Sequence, residues 1–193
     1  MTIKLIVGLA NPGNKYLLTR HNVGSWYVNQ LANNYHVSLI NKSSFLGYTG
    51  YLNIGKRRIF LLIPTIFMNY NGQAVAAIAK FYNIMPEEIL IAHDELNFLP
   101  GYARFKYSGG HGGHNGLKDV IYRLGDNNNF YRLRIGIGHP GDKNKVIKFV
   151  LDTPLDTEQQ LIQHAINESV LCTSLMFQQN IAYAIHQLHT ILK

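Results

Sequence analysis

The sequence predicts an α/β fold: a three-layer α/β/α sandwich around a twisted, mixed and mostly parallel sheet, built as one domain over residues 1–193. Three observations predict it. Short apolar runs ending in turn residues alternate with longer segments whose apolar residues recur at helical spacing. Apolar residues make up 47% of the chain and charged residues 15%, a balance that supplies a core and excludes disorder, coiled coil and collagen-like structure. At 193 residues the chain has the size of one domain, and no repeat, low-complexity tract or Ser/Gly-rich linker divides it.

The elements follow in order. Residues 3–9 form an apolar run stopped by Asn11-Pro12-Gly13, a buried strand entering a turn. A helix starts near residues 21–24, with Trp26, Val28, Leu31 and Ala32 facing inward. Residues 45–54 and 58–63 read as paired strands around Gly55, the second closed by Pro64. Residues 72–82 carry Ala74, Val75, Ala77, Ile78, Ala79 and Phe81 at helical spacing. Residues 89–92 make a short apolar strand ending at His93-Asp94-Glu95, and residues 102–107 alternate as a strand. A Gly-rich loop, residues 108–116, enters a helix at 117–124. Residues 130–138 form a strand with Leu133, Ile135 and Ile137 on one face. Asp156 with Gln159 reads as the N-cap pair of a C-terminal helix, spaced Ile162, Ile166, Val170 and then Ile181, Ile185, Leu188, with a break at 178–180. The aromatic pairs Phe81–Tyr82 and Phe130–Tyr131 are expected in the core.

Lys and Arg number 18 against 11 Asp and Glu, a net charge of +7 with His neutral. That bias favours polyanions: nucleic acid, anionic lipid or phosphorylated substrates. The single cysteine, Cys172, excludes a disulfide framework and a Cys-cluster metal site. No apolar run approaches the ~20 residues of a bilayer span, and the N-terminal run breaks too soon for a signal peptide. The expectation is a cytoplasmic monomer without membrane contact.

Several motifs mislead. Residues 8–15 resemble a P-loop, but Asn14 separates the second glycine from Lys15, and Tyr16 stands where Ser or Thr is needed. Gly136-Ile137-Gly138-His139-Pro140-Gly141 matches the dinucleotide pattern, yet Asp142-Lys143-Asn144-Lys145 continues a polar loop, so it reads as a turn with a basic tip. His111 and His114, with Asp94 or Glu95, could ligate a metal, which keeps a metal-dependent hydrolase as an alternative; no H-E-x-x-H helix supports it. No G-x-S-x-G elbow is present, which disfavours a serine triad.

Asn11, His21, Asn69, Asp94, His114 and Asn115 all fall at strand ends, loops or a helix start, where open α/β sheets build their sites. A histidine, a carboxylate and several amides suit hydrolysis by activated water: the imidazole takes the proton, the carboxylate orients it, and amides bind carbonyl and oxyanion. The same residues also suit turns and helix caps, so the pattern alone leaves both readings open.

The longer motifs narrow the choice. Val7-Gly8-Leu9-Ala10-Asn11-Pro12-Gly13 and Thr19-Arg20-His21-Asn22-Val23-Gly24 resemble bacterial peptidyl-tRNA hydrolases. So do Pro64-Thr65-Ile66-Phe67-Met68-Asn69, Ala92-His93-Asp94-Glu95-Leu96, Gly109-Gly110-His111-Gly112-Gly113-His114-Asn115-Gly116-Leu117-Lys118 and residues 132–141, in the same order. The resemblance implies hydrolysis of the ester joining a peptide to the 3′-terminal ribose of tRNA, without metal or organic cofactor. It implies that His21 is the general base and Asp94 the carboxylate that holds it. It assigns Asn11 to telling N-blocked from free aminoacyl groups, and Asn69 and Asn115 to binding substrate and positioning water. Tyr16 and Phe67 match substrate-contacting positions, Met68 a position lining the peptide cleft, and His114 a histidine supporting Asn115. Lys106, Arg134 and Lys143 match residues that contact tRNA phosphates; Lys118 is a further basic candidate beside the site. The partner implied is peptidyl-tRNA. Asn97 departs from the family, many of whose members carry Asp there, and the final helix from Asp156 matches loosely. A non-catalytic RNA-binding domain of the same fold remains the alternative from another class.

Overall fold

Leu5, Ile6 and Val7 are fully buried, and their strand, β1 (Leu5–Gly8), sits inside a seven-stranded sheet. The computed structural model describes residues 2–192. The other strands are β2 (Ile40–Lys42), β3 (Gly47–Ile54), β4 (Arg57–Pro64), β5 (Ile89–Glu95), β6 (Ala103–Tyr107) and β7 (Tyr131–Gly136). Their spatial order is β2-β3-β4-β1-β5-β7-β6. The central four, β4, β1, β5 and β7, pair in parallel, while β2, β3 and β6 join through antiparallel ladders. Leu5 thus lies between Phe60 and Ile89, and Ala92 beside Leu133.

Helices cover both faces. On one side α1 (Val23–Asn34), α5 (Asp156–Gln178) and α6 (Ile181–Ile191) close over Ile6, Ile59, Leu61, Leu90, Leu133 and Ile135. On the other α2 (Asn71–Phe81) and α3 (Asn115–Arg123) cover Leu5, Val7, Leu62, Ile89 and Ile91. Alternate residues of each central strand feed opposite layers, as the pleat requires. A short α4 (Val146–Val150) follows β7. Sequence expectation and structure agree on the three layers and the mixed sheet.

Four details differ from the sequence reading. In α1 the buried residues are Val23, Gly24, Ser25, Tyr27, Val28, Leu31 and Ala32, so Tyr27 points inward and Trp26 is only half-buried. Tyr27 can be buried because its hydroxyl bonds Thr173 Oγ1 at 2.7 Å, which in turn donates to Ser169 O at 2.8 Å. Trp26 lies nearer solvent, where its Nε1–H donates to Leu17 O at 2.7 Å. β5 does not end at Ala92 but runs through His93, Asp94 and Glu95, because β7 continues to pair with it as far as Gly136. The N-cap of α5 is Leu155, whose N–H donates to Glu158 Oε2 at 2.9 Å, rather than Asp156 with Gln159. Phe130 is core, but Phe81 is 68% exposed and packs edge-on against Phe45 and Tyr82. The break at 178–180 falls where α5 gives way to α6.

Parallel pairing brings the carboxyl ends of β1, β4, β5 and β7 to one edge. β1 lies where the strand order reverses, with earlier connections leading toward β4 and later ones toward β5 and β7. That is the switch point at which doubly wound sheets bind ligands.

Candidate active site

A cleft of about 1150 Å³ opens at this edge. Twelve of the residues singled out from sequence line it: Asn11, Tyr16, His21, Phe67, Met68, Asn69, Asp94, Lys106, His114, Asn115, Arg134 and Lys143; Lys118, exposed on the helix Asn115–Arg123, does not.

At its floor Asp94, 5% exposed at the end of β5, faces the turn of 3-10 helix Arg20–Asn22 that precedes α1. His21 Nδ1 lies 2.9 and 3.0 Å from its two carboxylate oxygens. His114 Nε2 lies 2.8 Å from Oδ1. His114 is the N-cap of α3, and its Nδ1 accepts the Leu117 N–H at 3.3 Å. With Nδ1 an acceptor, the His114 proton sits on Nε2 and is donated to Asp94. Asp94 also receives the His21 Nδ1 proton, which leaves His21 Nε2 with a free lone pair. The two rings are 4.8 Å apart.

The electrostatics follow. Burial by itself pulls His21 down, but the Asp94 charge and hydrogen bond outweigh it and raise the pKa above the ordinary 6.5. Burial pushes Asp94 up, but the two histidines outweigh it and hold the carboxyl well below its usual range. Asp94 is therefore ionised at neutral pH, and His21 is a strengthened base. The neighbouring His93 has no carboxylate partner: burial, then the proximity of His114, push it down to about 3. It stays neutral, with Nδ1 donating to Asp94 O at 2.7 Å.

The amides come from three loops. Asn11 follows β1 and is clamped by Asn22: the Asn11 N–H donates to Asn22 Oδ1 at 2.8 Å, and Asn22 Nδ2 to Asn11 O at 2.9 Å. Asn11 Oδ1 accepts the Met68 N–H at 2.9 Å, so its Nδ2 is the half left for a ligand. Met68 is buried below the cleft, whereas Asn69 and Phe67 are exposed on it. Tyr16 meets Phe67 edge-on at 6.5 Å. Asn115 is exposed at the first turn of α3, where His114 Nδ1 and O take the Leu117 and Lys118 N–H groups.

The basic residues frame the opening. Lys106 on β6 and Lys143 in the turn after β7 are exposed. Arg134 on β7 donates through Nε to Glu95 Oε2 at 2.8 Å, and its guanidinium lies 4.4 Å from the Phe98 ring. Residues 136–141 form the expected turn into this basic segment, with Gly138 and Gly141 at positive φ.

Among the described residues His21, Asp94 and His114 are the group that could hold a metal, since one donor atom from each lies within 4.8 Å of the others. In this geometry those atoms are already hydrogen-bonded to one another. His111 takes no part: it is exposed, and its Nδ1 accepts the Gly113 N–H at 3.1 Å.

Sequence reasoning missed four supporting residues. Asn22 and Asn71 are buried clamps, but an Asn at a helix start reads as an ordinary cap. Arg20 reaches the 149, 153 and 158 positions, donating to Phe149 O at 3.3 Å, Thr153 O at 3.1 Å and Glu158 Oε2 at 2.7 Å. Arg132 is 3% exposed and holds the Gly109 and Gly110 carbonyls with its two terminal nitrogens. Burial, then neighbouring Arg134, bring its pKa down to about 10. Its place as the first residue of the motif at 132–141 was its sequence signal.

Comparison with known proteins places the chain in a family. The family model described as peptidyl-tRNA hydrolase matches residues 5–193. The peptidyl-tRNA hydrolase of Escherichia fergusonii is 59% identical over 190 residues, 98% of each chain. That of Sodalis glossinidius is 59% identical over 189 residues, 98% of this chain and 97% of its own. A crystal structure of peptidyl-tRNA hydrolase from Acinetobacter baumannii has a TM-score of 0.92 at 48% identity, over 96% of this chain and 94% of that one. Among the described residues no helix is long and apolar enough to cross a membrane. A match of this depth along nearly the whole length leaves no other placement: the chain belongs to the peptidyl-tRNA hydrolase family.

Proposed function

We propose that the protein hydrolyses the ester between a peptide and the 3′-terminal ribose of peptidyl-tRNA, with His21 as general base. The single observation that carries this reading is the bond from His21 Nδ1 to Asp94, which leaves Nε2 free on the cleft side. Water gives its proton to Nε2 as its oxygen attacks the ester carbonyl carbon. The tetrahedral oxyanion is met by amides of the Asn69 and Asn115 side chains and by N–H groups of the α3 start. The carbon–oxygen bond to ribose then breaks, and the proton on His21 passes to the departing 3′ oxygen. Free peptide and tRNA leave.

Asp94 keeps the His21 ring in one orientation and stabilises its charged form, and His114 steadies Asp94 from the other side. Asn11 offers an N–H₂ to a substrate carbonyl. An acylated α-nitrogen carries such a carbonyl nearby, whereas a free ammonium offers only donors, so the site favours blocked substrates. Backbone atoms recur in every peptide, which suits broad acceptance of side chains. Tyr16, Phe67 and Met68 supply apolar contact. Lys106, Arg134 and Lys143 meet phosphates of the tRNA acceptor end. In this reading residues 1–193 act as one domain, a cytoplasmic monomer.

The test is cleavage of N-acetyl-aminoacyl-tRNA and of the unblocked aminoacyl-tRNA, with wild type and His21→Ala, with and without chelator. We expect only the blocked substrate to be cleaved, chelator to have no effect, and His21→Ala to lose roughly 10²–10⁴ in rate. Loss with chelator would instead favour a metal held by His21, Asp94 and His114. Binding of tRNA without any cleavage would make the protein a binding module.

A further inference from the structure

We infer that Asn71 is a positioning residue for Asn11, setting the amide that reads the peptide by tying together the two loops on which it depends. The inference rests on the role given to Asn11 above.

Asn71 is the first residue of α2 and is fully buried. Its Oδ1 accepts the Ala10 N–H at 3.0 Å, and its Nδ2 donates back to Ala10 O at 3.1 Å. The same Nδ2 lies 3.0 Å from Ile66 O and 3.1 Å from Phe67 O. One side chain therefore grips the residue before Asn11 and the two residues before Met68. Those are the two ends of the bond in which the Met68 N–H fixes Asn11 Oδ1. If either loop drifts, that bond lengthens, Asn11 is free to turn over, and its carbonyl in place of its N–H₂ meets the substrate.

The chemistry requires an amide at this position. The Ala10 N–H needs an acceptor, and the two Nδ2 protons are shared among the Ala10, Ile66 and Phe67 carbonyls, of which Phe67 O also accepts the Tyr70 N–H at 2.8 Å. A carboxylate would set lone pairs against these carbonyls, and an aliphatic side chain would remove the partner of the Ala10 N–H and C=O. Asn22 grips Asn11 from its other side, through the Asn11 backbone, but does not touch the 66–68 loop. Asn71 is thus the link that couples the Asn11 side chain to its Met68 partner.

Kinetics of Asn11→Ala, Asn71→Ala and the double variant on N-acetyl-aminoacyl-tRNA test this. Thermal unfolding is measured for each, and Asn71→Ser replaces the alanine variant if that does not fold. Each single change should raise KM by roughly tenfold, the scale of one lost hydrogen bond. The double variant should be no worse than Asn11→Ala, and the acid limb that reports His21 should not move. Multiplicative losses, or a fall in kcat with a displaced acid limb, would overturn the positioning role and leave Asn71 as scaffold only. An unchanged KM in Asn11→Ala would sink the assignment of Asn11 itself, and the inference with it.

Discussion

Burial alone would lower the pKa of His21, as it does for His93; the Asp94 carboxylate reverses the sign. With His21 as the proposed base its working form is neutral, so a raised pKa means that the imidazolium persists to higher pH. The acid limb of kcat/KM is therefore expected with its midpoint above 6.5. In Asp94→Ala the raising charge is gone and burial remains, so the midpoint should move to lower pH. The plateau should also fall, though less than in His21→Ala, because the base survives without its orienting partner. pH–rate profiles of the three proteins check this; an unmoved midpoint would show that Asp94 does not set the basicity of His21. At this scale the sequence supplied residue identities. It could not supply the orientation of a ring or an amide, because those are decided by partners such as Asp94 for the His114 ring and the Met68 N–H for the Asn11 amide, 20 and 57 residues away.

Two glycines let the first strand and first helix approach one another. A Cβ on Gly8 would lie 2.2 Å from Gly24 O, and a Cβ on Gly24 would lie 2.4 Å from Ala92 O. Both obstacles are backbone, so the helix itself would have to move. Because the turn holding His21 leads directly into α1, that movement also displaces the base from Asp94. Gly8→Ala is expected to cost about 1–3 kcal/mol by overpacking, a fall of roughly 2–4 °C in Tm for each kcal/mol in a chain of this size, together with lowered kcat. An unchanged Tm in a thermal melt would show that the contact has room to relax. The long elements were legible because α1, α2 and α5 repeat their apolar residues over several turns. β2, with three residues, all exposed, and α4, with five residues in all, are too short for any period to register. The polar end of β5 was missed because pairing with β7, not side-chain alternation, extends it.

Over the whole molecule, a surplus of seven positive charges becomes useful only through its placement. Lys106 comes from β6, Arg134 from β7 and Lys143 from the turn beyond, yet all three line the cleft that holds His21. Arg134 is held by Glu95 and Phe98, whereas the two lysines have no ion pair among the described residues. Replacing Lys106 or Lys143 by Ala should raise KM for peptidyl-tRNA more than for a small N-acyl ester. Each lost contact should reduce the salt slope of tRNA binding by about 0.7–0.9. Equal effects on both substrates would place these lysines outside the tRNA footprint.

By itself the sequence determined the α/β class, the order of the long elements and the residues proposed to carry the chemistry, because period and motif are local properties of the chain. It also placed those residues at strand ends. Only the tertiary structure decided that His21, Asp94 and His114 share hydrogen bonds across 73 and 20 residues of chain. It likewise decided that Asn22, Asn71, Arg20 and Arg132 serve as the supports beneath the site. The physical reason is the same in each case. A buried polar group must find its partner wherever the packed sheet brings one, and strand order, not sequence distance, determines which groups meet.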